Sequence, residues 1–304
     1  TSDVFDYTPS VPPVEHKHDM SVTCGHDNEI MFDKVLTADE DGWLYINDVA
    51  ATTDEASDFI LSEGNYYIKD NLSLRRGLRI NDDVNLCLNG KTLEFQNNYT
   101  IYVQGHLDNI NFNICDCQTG GKITGAYSST AEHVGIIDNR HTMSLYGGTI
   151  ENSSTDNSEG YYQYAIANAN ILNLYGGEVI SKNDNAIVSS SFCMKINLAG
   201  ATKIKGADSA SDIFLYKSDD QIDYDDDSHL ALILISDTFA NAELTEPYRV
   251  SADSVEQSAD FTRGWSEKMG DKEIGKYFVS AMKGYDIKKN TNGELEFVLA
   301  PSPS

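Results

Sequence analysis

Four side chains near the N-terminus have the types and spacing of a metal site. His16, His18, Cys24 and His26 fall within eleven positions, as H-x-H-x5-C-x-H. Imidazole and thiolate are donors that zinc prefers, and four of them complete a tetrahedron. The spacing is not that of a standard finger, so the expected role is a structural zinc that staples a polar segment to the domain. A solvated tether is the alternative. A second candidate is the acidic run Asp219-Asp220 and Asp223 to Asp227, with His229 close behind. Calcium takes six to eight oxygens, but the run lacks the EF-hand pattern and its glycine. A solvated acidic loop is the preferred reading, with calcium second to zinc as a cofactor.

Tyr161, Tyr162 and Tyr164 lie close together between Ile150 and Ile171. Tyrosine offers an apolar face to sugar C–H groups and a hydroxyl for hydrogen bonding, so the group reads as a sugar platform. Rim packing is the alternative, and 17 tyrosines against 2 tryptophans leave others to choose from, Tyr127 and Tyr146 among them. Hydrolysis of a glycoside needs two carboxylates flanking the scissile bond. Asp116, Asp138 and Glu151 are the candidates, with His133 and His141 near them in sequence. No hydrolase signature joins them, and Asn81-Asp82-Asp83 is followed by no matching histidine motif. Arg75, Arg76 and Arg79 form the one notable basic group. A uronate lyase would need such a group beside calcium carboxylates, and no spacing brings the two together, so the arginines read as salt-bridge partners.

The charge balance narrows the partners. Against 48 acids stand 22 lysines and arginines, a net charge of −26. A field of that sign repels phosphates, anionic lipid and polyanionic sugars. Nucleic acid is therefore not expected as a partner. No stretch reaches the apolar length that crosses a bilayer as a helix, so membrane insertion is not expected either.

The elements that must position these groups announce themselves by repetition. Leu145-Tyr146-Gly147-Gly148-Thr149-Ile150 returns as Leu174-Tyr175-Gly176-Gly177-Glu178-Val179. Gly120-Gly121-Lys122-Ile123 precedes the pair by one unit, and Ala199-Gly200-Ala201-Thr202-Lys203-Ile204 follows it. Leu86 to Leu93 has a similar shape upstream. Irregular periods of this size predict a solenoid whose core strands stay fixed while its loops vary. Within the units apolar residues alternate: Ile110, Phe112 and Ile114 against Asn109, Asn111 and Asn113, and Val84, Leu86 and Leu88 against Asn85, Cys87 and Asn89. That is the period of a strand with one buried face. Glycine and asparagine fit the tight corners, where left-handed backbone is needed.

These patterns predict an all-β parallel β-helix, with its coil over roughly residues 65–250. The segment 53–61 is expected to form a short helical N-terminal cap, with Thr53 as N-cap and Asp54 and Glu55 in the first turn. Leu230 to Ile235 reads as a late buried strand. Residues 285–299, around Asn290-Thr291-Asn292-Gly293, read as a C-terminal β-hairpin closing the other end. Residues 1–33 are expected to be a tether with the metal-binding segment. Residues 34–300 then form one β-helix domain, of which 251–300 is the closing segment. Residues 301–304 read as the start of a linker, so a longer multidomain chain is expected, monomeric in this part. Cys87, Cys115 and Cys117 fall on neighbouring circuits about 4.8 Å apart, close enough for Cys87 to bridge to either partner or for all three to stack as thiols. Cys193 is expected to pack alone.

The segments Gly64-Asn65-Tyr66-Tyr67-Ile68, Asn71-Leu72-Ser73-Leu74, residues 84–93, Cys115-Asp116-Cys117 and residues 120–125 resemble a known family. It is the right-handed, pectin-lyase-like β-helix of large surface proteins from anaerobic Gram-positive bacteria. Lys276-Tyr277-Phe278-Val279-Ser280 and Glu294-Leu295-Glu296-Phe297 resemble the segment that closes that unit. The resemblance spans roughly residues 60–300. It implies right-handedness and a secreted or wall-associated location, and it carries no active-site residues. The functional expectation is a non-enzymatic surface module that binds neutral glycans or a host surface protein. The alternative is a polysaccharide-active enzyme, hydrolase before lyase, and a plain stalk is a third reading.

Overall fold

The computed structural model describes residues 16–18, 30–56, 58–104, 110–130, 134–156, 158, 160–189, 194–216, 232–253 and 260–301. About half of these lie in short strands, and from Gly64–Ile68 to Ile213–Leu215 the chain lays them on three parallel sheets in rotation. One circuit runs through Val84–Cys87 on the first sheet, Thr92–Phe95 on the second and Ile101–Val103 on the third. The next runs through Asn111–Cys115, Lys122–Gly125 and Gly135–Asn139. Each strand pairs in parallel with its counterpart one circuit later, as Val84 does with Phe112, Leu93 with Ile123 and Ile101 with Ile137. The architecture is mostly β, with long parallel sheets, and is compatible with a β-helix.

The repeats noted in the sequence stand in register. Leu145 is opposite Leu174, and Ile123, Ile150, Val179 and Ile204 form one row on the second sheet. That row is fully or almost fully buried. Similar rows line the other sheets, such as Leu78, Ile101, Ile137, Ile166, Ile187, Ile213 and Val250 on the third. All seven are buried in one continuous core. Each such side chain contributes about 1.5–3 kcal/mol by leaving water. The corner between first and second sheets is tight: Asp116 accepts from the N–H of Gly90 at 2.6 Å and of Gly121 at 2.7 Å. A Cβ at Gly121 would stand 2.5 Å from Leu88 and 2.7 Å from the Asp116 carboxyl, so glycine is required there.

The ends differ from the sequence expectation in two ways. The segment 53–61 holds no helix among its described residues. Phe59–Leu61 is a strand of the third sheet, parallel to Leu78–Ile80, with Phe59 and Leu61 in the core. Asp54, expected in a first helical turn, closes a turn by accepting from the Asp58 N–H at 2.8 Å, while Thr53 bridges back to Phe59. Short acidic side chains that favour helix starts favour such turns for the same reason. The apolar residues Phe59, Ile60 and Leu61 are consecutive, which suits a strand end better than a helical stripe.

The second difference is extent. Parallel pairing begins at Lys34–Ala38, against Gly64–Ile68, before a meander through Leu44–Ile46 and Val49–Ala50. It continues past residue 250 to Phe278–Ser280 on the third sheet and Thr262–Arg263 on the first. Leu232–Ile235 is the late strand expected from its apolar run. The hairpin Tyr285–Lys289 and Leu295–Leu299 is present. Its turn is drawn in by Asn290, whose side chain accepts from Asn292 and Glu294. Glu294 then accepts from the backbone of Gly264 and Trp265, and Phe297 stacks on Phe261 at 4.8 Å.

Candidate ligand-binding face

Of the three tyrosines singled out in the sequence, Tyr162 and Tyr164 pack together, while Tyr161 is the exposed residue next to Tyr162 in the chain. Tyr164–Asn168 is a third-sheet strand, and a bulge opens it. Ala165 and Ile166 both donate to the Ala186 carbonyl, each at 3.1 Å, and both side chains enter the core. An extra residue of this kind reverses the facing of what precedes it. Tyr164 therefore leaves the core and lies on the outer surface of the sheet with Ala167 and Val188, packed against Tyr162, Phe214 and Tyr216. Ile136-Ile137 and Ala186-Ile187 likewise both point inward on the neighbouring circuits.

Tyr164 is 2% exposed, so it is the floor of the cluster and not a contact surface. Burial, then the charge of Asp184, pushes its phenol far above the ordinary tyrosine range, and its hydroxyl bonds to Tyr216. Tyr162 is half-buried, with its ring 5.6 Å from that of Tyr164, and Phe214 and Tyr216 meet edge to face at 5.0 Å. Tyr161, next to Tyr162 in the chain, is 43% exposed.

The described residues of the loop that leads to Tyr161 and Tyr162 are tied down at several points. Asn152, fully buried, donates to the carbonyls of Tyr127 and Tyr164 at 2.9 and 3.0 Å. Tyr162 and Ser129 exchange backbone hydrogen bonds of 2.7 and 3.1 Å. The Asp156 carbonyl accepts from the side chains of Gln163 and Asn183. The Asp156 carboxylate is held below its ordinary range by the Ser158 hydroxyl and N–H. Asp184 braces the far side, accepting from the N–H of Gln163 at 3.0 Å and of Asn185 at 2.7 Å. Burial raises its carboxyl above the ordinary value, against the pull of those two donors. Aromatic rings fixed in this way meet a ligand with little ordering cost.

The carboxylates considered for catalysis do not gather. Asp116 is spent on the corner described above. Asp138, buried on the third sheet, pairs with Arg140 at 3.0 Å. Glu151, on the second sheet, lies between Lys122 at 3.1 Å and Lys182 at 3.2 Å. Its burial works to raise the carboxyl, but the two lysines outweigh it and hold it below the ordinary value. His141 is half-buried, and His133 lies outside the described residues. The arginines disperse as well. Arg75 meets Asp41 at 3.7 Å, Arg76 lies over Trp43, and Arg79 meets Asp54 at 2.5 Å and Asp58 at 3.6 Å.

His16–His18 is a strand antiparallel to Ile30–Phe32, while Cys24 and His26 lie outside the described residues, as do Cys193 and the acidic run with His229. Among the described residues no group of three or more histidines, cysteines or acids could hold a metal ion. Sequence reasoning missed Phe214 and Tyr216 as members of the aromatic cluster. The pairing of Val188 with Phe214 puts them there, and their alternation with Ile213 and Leu215 is the signal that could have found them. No helix among the described residues is long and apolar enough to cross a membrane. No protein-family model, no curated protein and no solved structure matches the chain.

Proposed function

We propose that this chain is a secreted or wall-associated surface module that binds neutral glycans, without cleaving them, at the Tyr161–Tyr162 edge of the third sheet. In this reading the coil is the right-handed parallel β-helix that the sequence resembles, from a surface protein of an anaerobic Gram-positive bacterium. The observation that carries the binding reading is the aromatic cluster of Tyr162, Tyr164, Phe214 and Tyr216 on the outer face of the third sheet, with the exposed Tyr161 next to Tyr162 in the chain. Tyr164 supports the site from below. The net charge of −26 favours neutral over anionic sugars. The dispersal of Asp116, Asp138 and Glu151 into separate structural bonds favours binding over turnover.

Affinity is expected to be modest, since each aromatic contact adds only about 0.5–1.5 kcal/mol beyond its buried area. Calorimetric titration with neutral oligosaccharides should show binding to the wild type and its loss in Tyr161→Ala with Tyr162→Ala. Equal binding by both proteins would remove the site, and reducing ends accumulating over hours would make the protein a hydrolase. For the N-terminal segment the proposal is one zinc per chain, held by His16, His18, Cys24 and His26. Metal analysis after purification without chelator should find it, and should find none in Cys24→Ala with His26→Ala.

A further inference from the structure

The first sheet carries three cysteine thiols on adjoining circuits. Cys87 ends its strand directly opposite Cys115, and Cys117 lies two residues further on, past the strand end. The geometry points to one particular pair: we propose that Cys87 and Cys117 are an oxidative cross-link site, closed by a low-molecular-weight disulfide, and that Cys115 stays a thiol.

The Cys87 Sγ lies 3.4 Å from the Cys117 Sγ. A disulfide needs about 2.05 Å between sulfurs, so closure asks for a shift of little more than an ångström. Cys117 can supply it. It stands outside the strand ladder, whereas Cys115 is held in the ladder beside Cys87. The turn around Cys117 is already aimed, because Asp116 is fixed by the N–H groups of Gly90 and Gly121.

Exposure sets the order of events. Cys87 is fully buried and Cys115 nearly so, under Phe32, while Cys117 is only half-buried. A disulfide reagent therefore reaches Cys117 first. The Cys117 thiolate attacks one sulfur of the reagent and releases one small thiol, leaving a mixed disulfide. The Cys87 thiolate then attacks the Cys117 sulfur and releases the second small thiol. Two protein thiols are oxidised, one reagent disulfide is reduced to two thiols, and the two protein protons balance the two departing thiolates. The new bond closes a loop of 30 residues, from 87 to 117, and fastens two circuits that otherwise share only hydrogen bonds and packing.

The test equilibrates the full chain with oxidised and reduced glutathione, then alkylates and maps it without reduction. Cleavage before Asp116 separates Cys115 from Cys117. The expected product is two hydrogens lighter, links the Cys87 peptide to the Cys117 peptide and carries alkylated Cys115. It should unfold about 5 °C higher than the reduced form. Cys115→Ala should keep the link and Cys117→Ser should abolish it. A Cys87–Cys115 link, or alkylated Cys87 and Cys117 in excess oxidised glutathione, would overturn the proposal, and both are read on the wild type without depending on any variant.

Discussion

The outer faces of the first and third sheets belong to the same stack of parallel strands but follow opposite rules. On the first, one row runs Asn65, Asn85, Asn113, Ser144, Asn173, Asn197, each opposite the next. Their side chains hand hydrogen bonds along the row: Asn85 donates to Asn65 at 2.7 Å, Asn113 to Asn85 at 2.9 Å, and Asn173 to Ser144 at 3.2 Å. On the third, the equivalent row runs Ile60, Arg79, Tyr102, Asp138, Ala167, Val188, Phe214. No residue type repeats there, and each circuit finds its own partners. A row of amides, broken only by the Ser144 hydroxyl, satisfies itself and leaves little for a ligand. A row of unlike residues makes local chemistry, first an ion-pair stretch around Arg79 and Asp138, then the aromatic cluster. The comparison teaches that the coil's regularity is structural and that its departures from regularity mark where recognition can be built.

The comparison breaks most visibly at Tyr164. Tyr164→Ala should cost about 3–5 kcal/mol, as truncation of a buried aromatic does, although the residue lies outside the main core. Tyr161→Ala, at the exposed neighbour of Tyr162, should stay within about 0.5 kcal/mol. Denaturant unfolding of the two variants measures both, and similar costs would mean that Tyr164 does not anchor the cluster.

On the first face, Asn85→Ala removes a donor to Asn65 and an acceptor for Asn113, and should cost about 1–2 kcal/mol. That cost should not change between pH 3.5 and 7, because no member of the row titrates there.

The third face should show the contrary behaviour at Asp184. Its carboxyl is raised above the ordinary 3.8 by burial. The folded state then holds a proton that the unfolded state gives up. The sign follows: the stability it adds is fully present below pH 3.8 and is lost as pH rises through the folded-state value. Wild type minus Asp184→Asn, measured by unfolding from pH 3.5 to 7, should therefore decline with rising pH. A rising difference would mean that the donors from Gln163 and Asn185 outweigh burial.

The stacked parallel strands were legible in the sequence because their signals are local and repeated. The row Ile123, Ile150 and Val179 could be read from its Gly-Gly corners and Ile204 from the Ala-Gly-Ala corner that precedes it, and the alternation around Phe112 gave the buried face. Two other features were not legible, each for a physical reason. The start of residues 53–61 carries acids that serve a helix cap and a tight turn equally well, and only pairing with Leu78–Ile80 decides between them. The facing of Tyr164 depends on the bulge at Ala165, which adds one residue and inverts the alternation that sequence reading relies on. Aromatic content singled out Tyr161, Tyr162 and Tyr164 in the sequence, but not the depth at which Tyr164 is buried.

The pairing of each strand with the strand one circuit away also has a mechanical consequence. The hydrogen bonds joining neighbouring circuits run along the stacking direction, so tension applied between the two ends loads them a few at a time. Such a chain pays out under force circuit by circuit. The 29 residues between Leu145 and Leu174 would release about 100 Å of extended chain. Lengthening in steps of that size spreads a sudden load over many small ruptures instead of one large one.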